Sequence, residues 1–99
     1  MPNAVMFITY KLAKDVSAQD FLLASEKVKD DFMSKQKGYI SWKVLVDGDM
    51  WADLLTWETK EDAKSAMAAG SANADNHKFF ALLDPESVKM HIYTVEKSY

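Results

Sequence analysis

The sequence predicts an α+β domain with the element order β-α-β-β-α-β, in which a ferredoxin-like antiparallel sheet has its helices packed on one face. Three observations lead to this prediction. A central stretch, residues 38–58, alternates like two strands joined by a tight turn. Apolar strand-like runs lie near both ends of the chain, at 4–12 and 87–96. Helical periodicity with capping residues fills the two intervals between them, 18–37 and 60–83.

Length and composition limit the classes of protein to which this chain can belong. Its 99 residues predict one domain over 1–99, and an apolar fraction of 48% is enough for one core. The formal net charge is −3 and no lysine or arginine cluster stands out, so we expect no nucleic-acid partner. The absence of cysteine excludes disulfides and thiolate nucleophiles. Neither a signal peptide nor a membrane span is predicted, and the expected location is the cytoplasm.

The first predicted strand, 4–12, is apolar at almost every position. A strand with one buried face alternates apolar and polar residues, whereas a strand covered on both faces does not. We therefore expect a central strand between two layers. Its two faces would carry Met6, Ile8 and Tyr10 on one side, and Val5, Phe7 and Thr9 on the other.

The first helix is predicted over residues 18–37. Ser17 followed by Asp20 has the spacing of a capping box, and apolar residues recur every three or four positions after it. Gly38 is placed to end this helix, in the left-handed backbone conformation that glycine adopts most readily.

The central hairpin places all three tryptophans of the chain on one face. Its turn is Asp47-Gly48 or Gly48-Asp49, and either turn puts even positions of the first strand on the same face as odd positions of the second. That face would carry Ile40, Trp42, Val44, Trp51, Asp53, Leu55 and Trp57. Asp53 is the only acid among them, and a lone carboxylate in such surroundings must be hydrogen-bonded or have a raised pKa.

The second half of the chain predicts a broken helix and a final strand. Thr59 caps a helix from residue 60, and Gly70 interrupts it. Asn73 or a neighbour caps a short third helix through Leu83, and the next proline stops it because proline disfavours helical geometry in the residue before it. The last strand is predicted over 87–96.

Both faces of the predicted sheet are apolar, although helices cover only one of them. An exposed apolar patch of several hundred Å² usually marks an association surface. We therefore expect a homodimer in which two copies of the sheet face each other across a two-fold axis.

Several of these segments together resemble the antibiotic-biosynthesis-monooxygenase-like proteins. The resemblance lies in Gly38-Tyr39, in the run Leu55-Thr56-Trp57-Glu58-Thr59-Lys60-Glu61-Asp62-Ala63 and in the later His77, and the element order extends it over the whole chain. It implies a dimeric α+β barrel built from the sheets of two subunits. Members of this superfamily include cofactor-independent oxygenases of polyphenols, haem-degrading oxygenases, isomerases and proteins of unassigned function.

The haem-degrading branch of this superfamily is disfavoured by the residues at its key positions. That branch uses an asparagine in the first strand, a tryptophan in the second helical region and a histidine that ligates the haem iron. The corresponding positions here hold Thr9, Ala66 or Met67, and His77, so one of three residues is retained. We therefore expect no cofactor.

Asp53 and His77 are the candidate catalytic residues. Asp53 can take a proton from a phenol-like substrate, and its alternative role is a structural hydrogen-bond network. His77 can act as a base near neutral pH or as a metal or haem ligand, and its alternative is a surface histidine that caps a packing contact. Helical spacing places His77 on the same side as Phe80, at the edge of a pocket.

The candidate ligand pocket is aromatic, because flat apolar molecules stack on large rings. Its predicted lining residues are Trp42, Trp51, Trp57, Tyr10 and Phe80. The alternative is that the tryptophans belong to the core or to the dimer interface. No metal site is predicted, since His77, His91 and Asp53 lack the spacing of a ligand set.

Two functions remain open at this point. One is a small cofactor-independent monooxygenase that acts on an aromatic or quinol-type molecule in a pocket between the sheet and the helices. The other is a non-catalytic dimeric protein, a binding or stress-related one, that holds a small apolar ligand. The sequence contains no complete catalytic set that would separate them.

Overall fold

Four strands form one antiparallel sheet in the computed structural model, which describes residues 3–99. The strands are β1 (Ala4–Tyr10), β2 (Tyr39–Asp47), β3 (Met50–Trp57) and β4 (Lys89–Thr94), and their order across the sheet is β2-β3-β1-β4. The helices are α1 (Ala18–Asp31), α2 (Lys60–Ser71) and α3 (Ala74–Phe80), with short 3₁₀ helices at Met33–Lys35 and Pro85–Ser87. The element order and the sheet confirm the predicted ferredoxin-like fold. No helix in residues 3–99 is long and apolar enough to cross a membrane.

The hairpin between β2 and β3 has one of the two predicted registers. Its turn is Gly48-Asp49, which is a two-residue connection. Even positions of β2 therefore share a face with odd positions of β3, as Trp42 opposite Leu55 and Val44 opposite Asp53 show. This face, called the inner face from here on, packs against the helices. It buries every second residue of β3, namely Trp51, Asp53, Leu55 and Trp57.

Ile40 does not lie on the inner face, where the alternation predicts it. The register between β2 and β3 shifts at this residue, because Tyr39 pairs with Trp57 whereas Ser41 pairs with Thr56. An extra residue in one strand is a β-bulge, which changes the direction of the side chains before it. Tyr39 therefore packs edge-on against Trp57, with ring centroids 5.9 Å apart, and Ile40 is exposed. The prediction for Ile40 is wrong for this reason.

The first helix is shorter than predicted. Ser17 caps it as expected, because its Oγ accepts a backbone N–H of the first turn. The helix ends at Asp31 instead of at residue 37, since Phe32 leaves helical geometry with a φ of −133° and a 3₁₀ turn follows. This turn brings Met33 against buried side chains of the inner face.

The broken second helix is confirmed. Oγ1 of Thr59 accepts a backbone N–H at the start of α2, and Oδ1 of Asn73 accepts two at the start of α3. Helix α3 ends at Phe80 rather than continuing through Leu83, because Leu83 forms a β-bridge with Leu12 beyond the end of β1. Strand β4 lies inside the range predicted for it.

The inner face carries two clusters of buried side chains. The first contains Ala4, Met6, Leu55, Trp57, Ala63 and Ala66. The second contains Tyr10, Phe21, Trp51, Phe79 and Leu83. Ile8 and Trp42 contact both clusters. On the inner face of β3, Leu55 belongs to the first cluster and Trp51 to the second. Asp53 is the inward-facing residue between them, so it lies between the two clusters.

Gly38 and Gly48 form a matched pair of glycines with positive φ, at +81° and +63°. A Cβ added at Gly38 would overlap the side chain of Asp62, whereas one added at Gly48 would meet no atom within 4 Å. We expect Gly48→Ala to lower the free energy of unfolding by about 1 kcal/mol, and Gly38→Ala to lower it by about 2–4 kcal/mol because α2 must also shift. Urea denaturation of both variants measures the difference. Equal losses would contradict the close packing of Gly38 against α2.

Candidate active site

Asp53 is buried at the centre of the inner face, with 5% of its surface exposed. Strand β3 places it there, because inward-facing positions alternate along a strand. Its Oδ1 accepts a hydrogen bond from the hydroxyl of Tyr10 over 2.7 Å. Ile8 of β1 is directly opposite Asp53, so Tyr10, two residues farther along the same face, reaches the carboxyl diagonally.

Burial raises the pKa of the Asp53 carboxyl from 3.8 to about 6, because desolvation disfavours the charged form. The Tyr10 hydroxyl and the Trp42 indole N–H lower this pKa, but by less than burial raises it. None of the ion pairs in residues 3–99 involves Asp53, so no cation offsets the desolvation. The carboxyl can therefore exchange a proton a little below neutral pH, as a general base must.

Tyr10 is a hydrogen-bond donor rather than a second acid or base near neutral pH. Burial raises its pKa most, and the negative charge of Asp53 and the hydrogen bond between them raise it further. Its proton therefore stays on the phenol oxygen, where it holds Oδ1 of Asp53 in place.

The indole N–H of Trp42 is the other polar group beside Asp53. Its Nε1 is buried and has no partner with hydrogen-bond geometry in residues 3–99, although it is close enough to lower the pKa of the carboxyl. The indole N–H therefore faces the carboxyl without forming a hydrogen bond of good geometry. Nε1 of Trp57 is likewise buried without a partner in the described part of the chain. Such donors are rare in folded proteins, so they mark places where a ligand atom or a water can bind.

Two cavities between the sheet and the helices meet at Asp53. The inner cavity has a volume of about 90 Å³ and lies under α1, α2 and α3. The outer cavity has a volume of about 340 Å³ and lies beside the segment that precedes β4. Both are lined by Ile8, Asp53, Phe79 and Phe80. Ligand pockets typically have volumes of about 300–1,000 Å³, so the outer cavity fits a small ring system and the inner cavity a smaller group.

The predicted pocket residues divide between these cavities and the core. Trp42 and Trp57 line the inner cavity, and Phe80 lines both cavities. Tyr10 belongs to the second buried cluster and approaches Asp53 from there. Trp51 packs edge-on against Phe21, with ring centroids 5.2 Å apart, and lines neither cavity.

His77 is exposed on α3 and lines neither cavity. Its Nε2 lies 2.6 Å from the backbone oxygen of Ser71, a contact that joins α3 to the end of α2. The structure therefore does not bring His77 and Asp53 into one cavity, and the catalytic role of His77 stays a prediction.

No group of three or more His, Cys, Asp or Glu side chains within residues 3–99 could hold a metal ion. His91 pairs with Phe7 in the sheet and so lies on the outer face, the side opposite the helices. It stacks on Tyr93 with ring centroids 5.8 Å apart. The sheet therefore separates His91 from Asp53.

Asn76 is a cavity residue that the sequence reasoning missed. It is 2% exposed and lines the inner cavity. The predicted phase of α3 relies on His77 and Phe80, whereas the buried side of the helix carries Asn76 and Phe79. The sequence did contain a signal for this side of the helix. Asn76, Phe79 and Leu83 follow one another at spacings of three and four residues, which is typical of one buried helix face.

The fold and the site together define a class of protein: a ferredoxin-like α+β domain with a buried acid between sheet and helices. No protein-family model matches the sequence, and neither does any curated protein. Solved structures nevertheless share the fold over nearly the whole chain. SnoaB, a cofactor-independent oxygenase from Streptomyces nogalater, aligns with a TM-score of 0.78 at 11% identity, over 99% of this chain and 97% of its own.

Two further structures have the same architecture. The monooxygenase ActVA-Orf6 of Streptomyces coelicolor, in complex with nanaomycin D, aligns with a TM-score of 0.74 at 14% identity, over 99% of this chain and 91% of its own. A candidate antibiotic biosynthesis monooxygenase from Nitrosomonas europaea aligns with a TM-score of 0.70 at 13% identity, over 98% and 94%. At these identities the similarity establishes the fold, which is that of antibiotic-biosynthesis-monooxygenase structures.

Proposed function

We propose that this protein is a small cofactor-independent monooxygenase that oxidises a phenol or quinol ring bound between the sheet and the helices. The observation that carries the proposal is Asp53, a buried carboxyl with a pKa of about 6 at the junction of two largely apolar cavities. Structures with this fold include a cofactor-independent oxygenase and a monooxygenase in complex with nanaomycin D, which supports the class of reaction.

The proposed chemistry begins with transfer of a proton from a ring hydroxyl to Asp53. The resulting phenolate is electron-rich and reduces dioxygen directly. For a phenol with a C–H para to the hydroxyl, one oxygen atom becomes a quinone carbonyl at that carbon. The other oxygen atom leaves as water with two protons from the substrate. The substrate supplies all four electrons that dioxygen takes up, so the reaction needs no separate reductant.

The neighbours of Asp53 have distinct roles in this proposal. Tyr10 occupies Oδ1, so Oδ2 is the oxygen available to a substrate hydroxyl. Phe79 and Phe80 form the wall that the two cavities share, and aromatic rings stack well on such a wall. Phe80 is 48% exposed, and a change in its rotamer would widen the passage to the inner cavity.

Oxygen uptake with a panel of phenols and dihydroxynaphthalenes tests the proposal. We expect the wild-type protein to consume dioxygen only with substrate present, and the quinone product to contain one atom of labelled dioxygen. His77→Ala belongs in the same assay, because His77 is the other predicted catalytic residue. Tight binding of these compounds without oxygen uptake would overturn the oxygenase and favour the alternative, a non-catalytic binding protein.

We further propose that the protein is a homodimer whose two sheets face each other. The outer face carries apolar side chains on all four strands, namely Val5, Phe7, Leu45, Leu54 and Tyr93. Leu45 and Tyr93 are 42% and 54% exposed in the single chain. Contact with a second copy would remove this surface from water, and a broad sheet face suits a contact about a two-fold axis.

A charge in the middle of the outer face tests the dimer. Leu54 lies between Phe7 and Lys43 in the sheet, so Leu54→Lys would place an uncompensated charge there. We expect wild-type protein to have about twice the mass of the 11.2 kDa chain in light scattering, and the variant to be monomeric. Leu23→Lys, on the exposed side of α1, is the matched control and should stay dimeric. A monomeric wild-type protein at micromolar concentration would refute the dimer.

A further inference from the structure

We infer that dioxygen reaches the inner cavity through an entrance of its own, a groove between α1 and α3, while the aromatic substrate occupies the outer cavity. The inference rests on the proposed oxygenase and gives its two substrates separate routes. The groove has a volume of about 300 Å³. Ala24 and Val28 line it on the side of α1, and Phe79 lines it on the side of α3. It is called the α1–α3 groove from here on.

The α1–α3 groove and the inner cavity share a wall. Val28, Phe32, Asn76 and Phe79 line both of them. On the α3 side the wall is fixed, because Phe79 is buried and stacks on Phe21 with ring centroids 5.3 Å apart. On the α1 side Val28 and Phe32 are only half-buried. Side chains near the surface change rotamer rapidly, so movements of Val28 and Phe32 can open this wall to a diatomic molecule.

The size and the lining of the inner cavity suit dioxygen. Its volume of about 90 Å³ exceeds the ~10–15 Å³ that one water requires, but lies below the ~300 Å³ of the smallest typical ligand pockets. Most of its lining residues are apolar, among them Met6, Met33, Leu55 and Met67. Apolar cavities in proteins take up small apolar molecules such as xenon. Dioxygen is also small and apolar, so the inner cavity can hold it beside a ring that is too large to enter.

A ring in the outer cavity closes the other route to the inner cavity. The two cavities share Ile8, Asp53, Phe79 and Phe80, and a ring whose hydroxyl meets Asp53 lies against these residues. Dioxygen that arrives after the ring must therefore come from another side. Ile8, Asp53 and Phe80 do not line the α1–α3 groove, so the groove stays open while the ring is bound.

Two valines allow a matched test of the two routes. Val28 lines the α1–α3 groove and the inner cavity, whereas Val88 lines the outer cavity and neither of the others. Substitution by phenylalanine therefore narrows one route at a time. Dioxygen quenches tryptophan phosphorescence on collision, and Trp42 and Trp57 line the inner cavity. The quenching rate constant thus measures the arrival of dioxygen without any turnover. Trp51 lines none of the three cavities and contributes equally in all variants.

Phosphorescence is measured with and without saturating cyclohexanol, which offers a ring and a hydroxyl but cannot form a phenolate. We expect the wild type to keep its quenching rate constant when cyclohexanol is bound. Val28→Phe should lower this constant by about fivefold in both conditions, since a close-packed wall passes a gas only through rare openings. Val28→Ala should raise it. Val88→Phe should leave it unchanged, but should weaken α-naphthol binding in isothermal titration calorimetry by about tenfold because it overpacks the outer cavity.

If Val28→Phe does not fold by circular dichroism, Ala24→Leu replaces it, because Ala24 lines the α1–α3 groove without reaching the inner cavity. Equal quenching in the wild type and in the groove variant would overturn the separate entrance. So would a loss of wild-type quenching on addition of cyclohexanol. In the oxygen-uptake assay, Val28→Phe should raise the KM for dioxygen and leave the KM for the phenol unchanged. The expected quenching pattern without any oxygen uptake would keep the entrance and overturn only the oxygenase.

Discussion

Replacing Asp53 with asparagine is expected to lower kcat/KM for a phenolic substrate by about 10²–10⁴-fold, the usual contribution of a positioned general base. The amide has the shape of the carboxyl and can accept the hydrogen bond from Tyr10, so the fold and both cavities should persist. Oxygen uptake measures the rate, and α-naphthol binding shows that the cavities are intact. Asp47→Asn, at the exposed end of the same hairpin, is the matched control and should keep wild-type activity. More than a tenth of wild-type activity in Asp53→Asn would contradict the role of Asp53.

The pH dependence of the wild-type rate is a second measure of the same role. We expect kcat/KM to rise as Asp53 loses its proton, with a midpoint near its pKa of about 6, and to level off at higher pH. Tyr10→Phe removes a hydrogen bond that lowers this pKa, so the midpoint should move to higher pH. A midpoint that stays in place in Tyr10→Phe would assign the titration to another group.

The position of Asp53 among buried residues could be predicted because alternation is a geometric property of every strand. A two-residue turn then aligns the two strands, and the structure has one of the two expected registers. The bulge at Ile40 could not be predicted in this way, because alternation does not show where an extra residue interrupts a strand. Local geometry therefore predicts which face a residue occupies, but not where packing interrupts the pattern.

The hydrogen-bond partner of Asp53 could not be found from the hairpin alone. Tyr10 lies 43 residues earlier in the chain, and its distance from Asp53 depends on the register between β1 and β3. No turn connects these two strands, so nothing local sets that register. The sequence does predict that Tyr10 points to the same side as Met6 and Ile8, and the structure adds which carboxyl it meets.

The cavities depend on packing between layers, which a one-dimensional pattern does not contain. The inner cavity exists because α2 presents small residues, Ala66 and Gly70, toward the sheet. The alanine-rich character of this helix indicates a close approach to the sheet as readily as room for a ligand. The phase of a seven-residue helix is also poorly determined by spacing, which is why Asn76 was missed while Phe80 was found.

The second large effect is a loss of stability as the pH rises from about 4 to about 6. The pKa of Asp53 is 3.8 in an unfolded chain and about 6 in the folded protein. Between these values the folded state keeps a proton that the unfolded state has released, so the free energy of unfolding falls as the pH rises. At 1.36 kcal/mol for each pH unit between the two values, the decrease amounts to about 3 kcal/mol and is complete once the pH has passed the folded-state value.

Urea denaturation of the wild type and of Asp53→Asn over this pH range isolates the contribution of Asp53. Asparagine does not titrate, and every other ionisable side chain is common to both proteins. The difference between the two free energies of unfolding should therefore fall by about 2.4 kcal/mol from pH 4 to pH 7, because the rest of the decrease lies below pH 4. Parallel curves would show that the carboxyl has an ordinary pKa. A difference that rises with pH would mean that a cation stabilises the carboxylate.

If Asp53 is the base, the pH at which the loss of stability levels off must coincide with the midpoint of the rate curve, because both are set by the pKa of Asp53 in the folded protein. Desolvation raises its pKa, and the same desolvation both destabilises the ionised folded protein and makes the carboxylate more ready to accept a proton from a substrate. Tyr10→Phe should move the end of the stability loss and the midpoint of the rate curve to higher pH together, because the lost hydrogen bond favoured the ionised carboxylate. It should also deepen the loss of stability between low and neutral pH. If only the end of the stability loss moves in Tyr10→Phe, Asp53 is a buried structural acid and the base lies elsewhere.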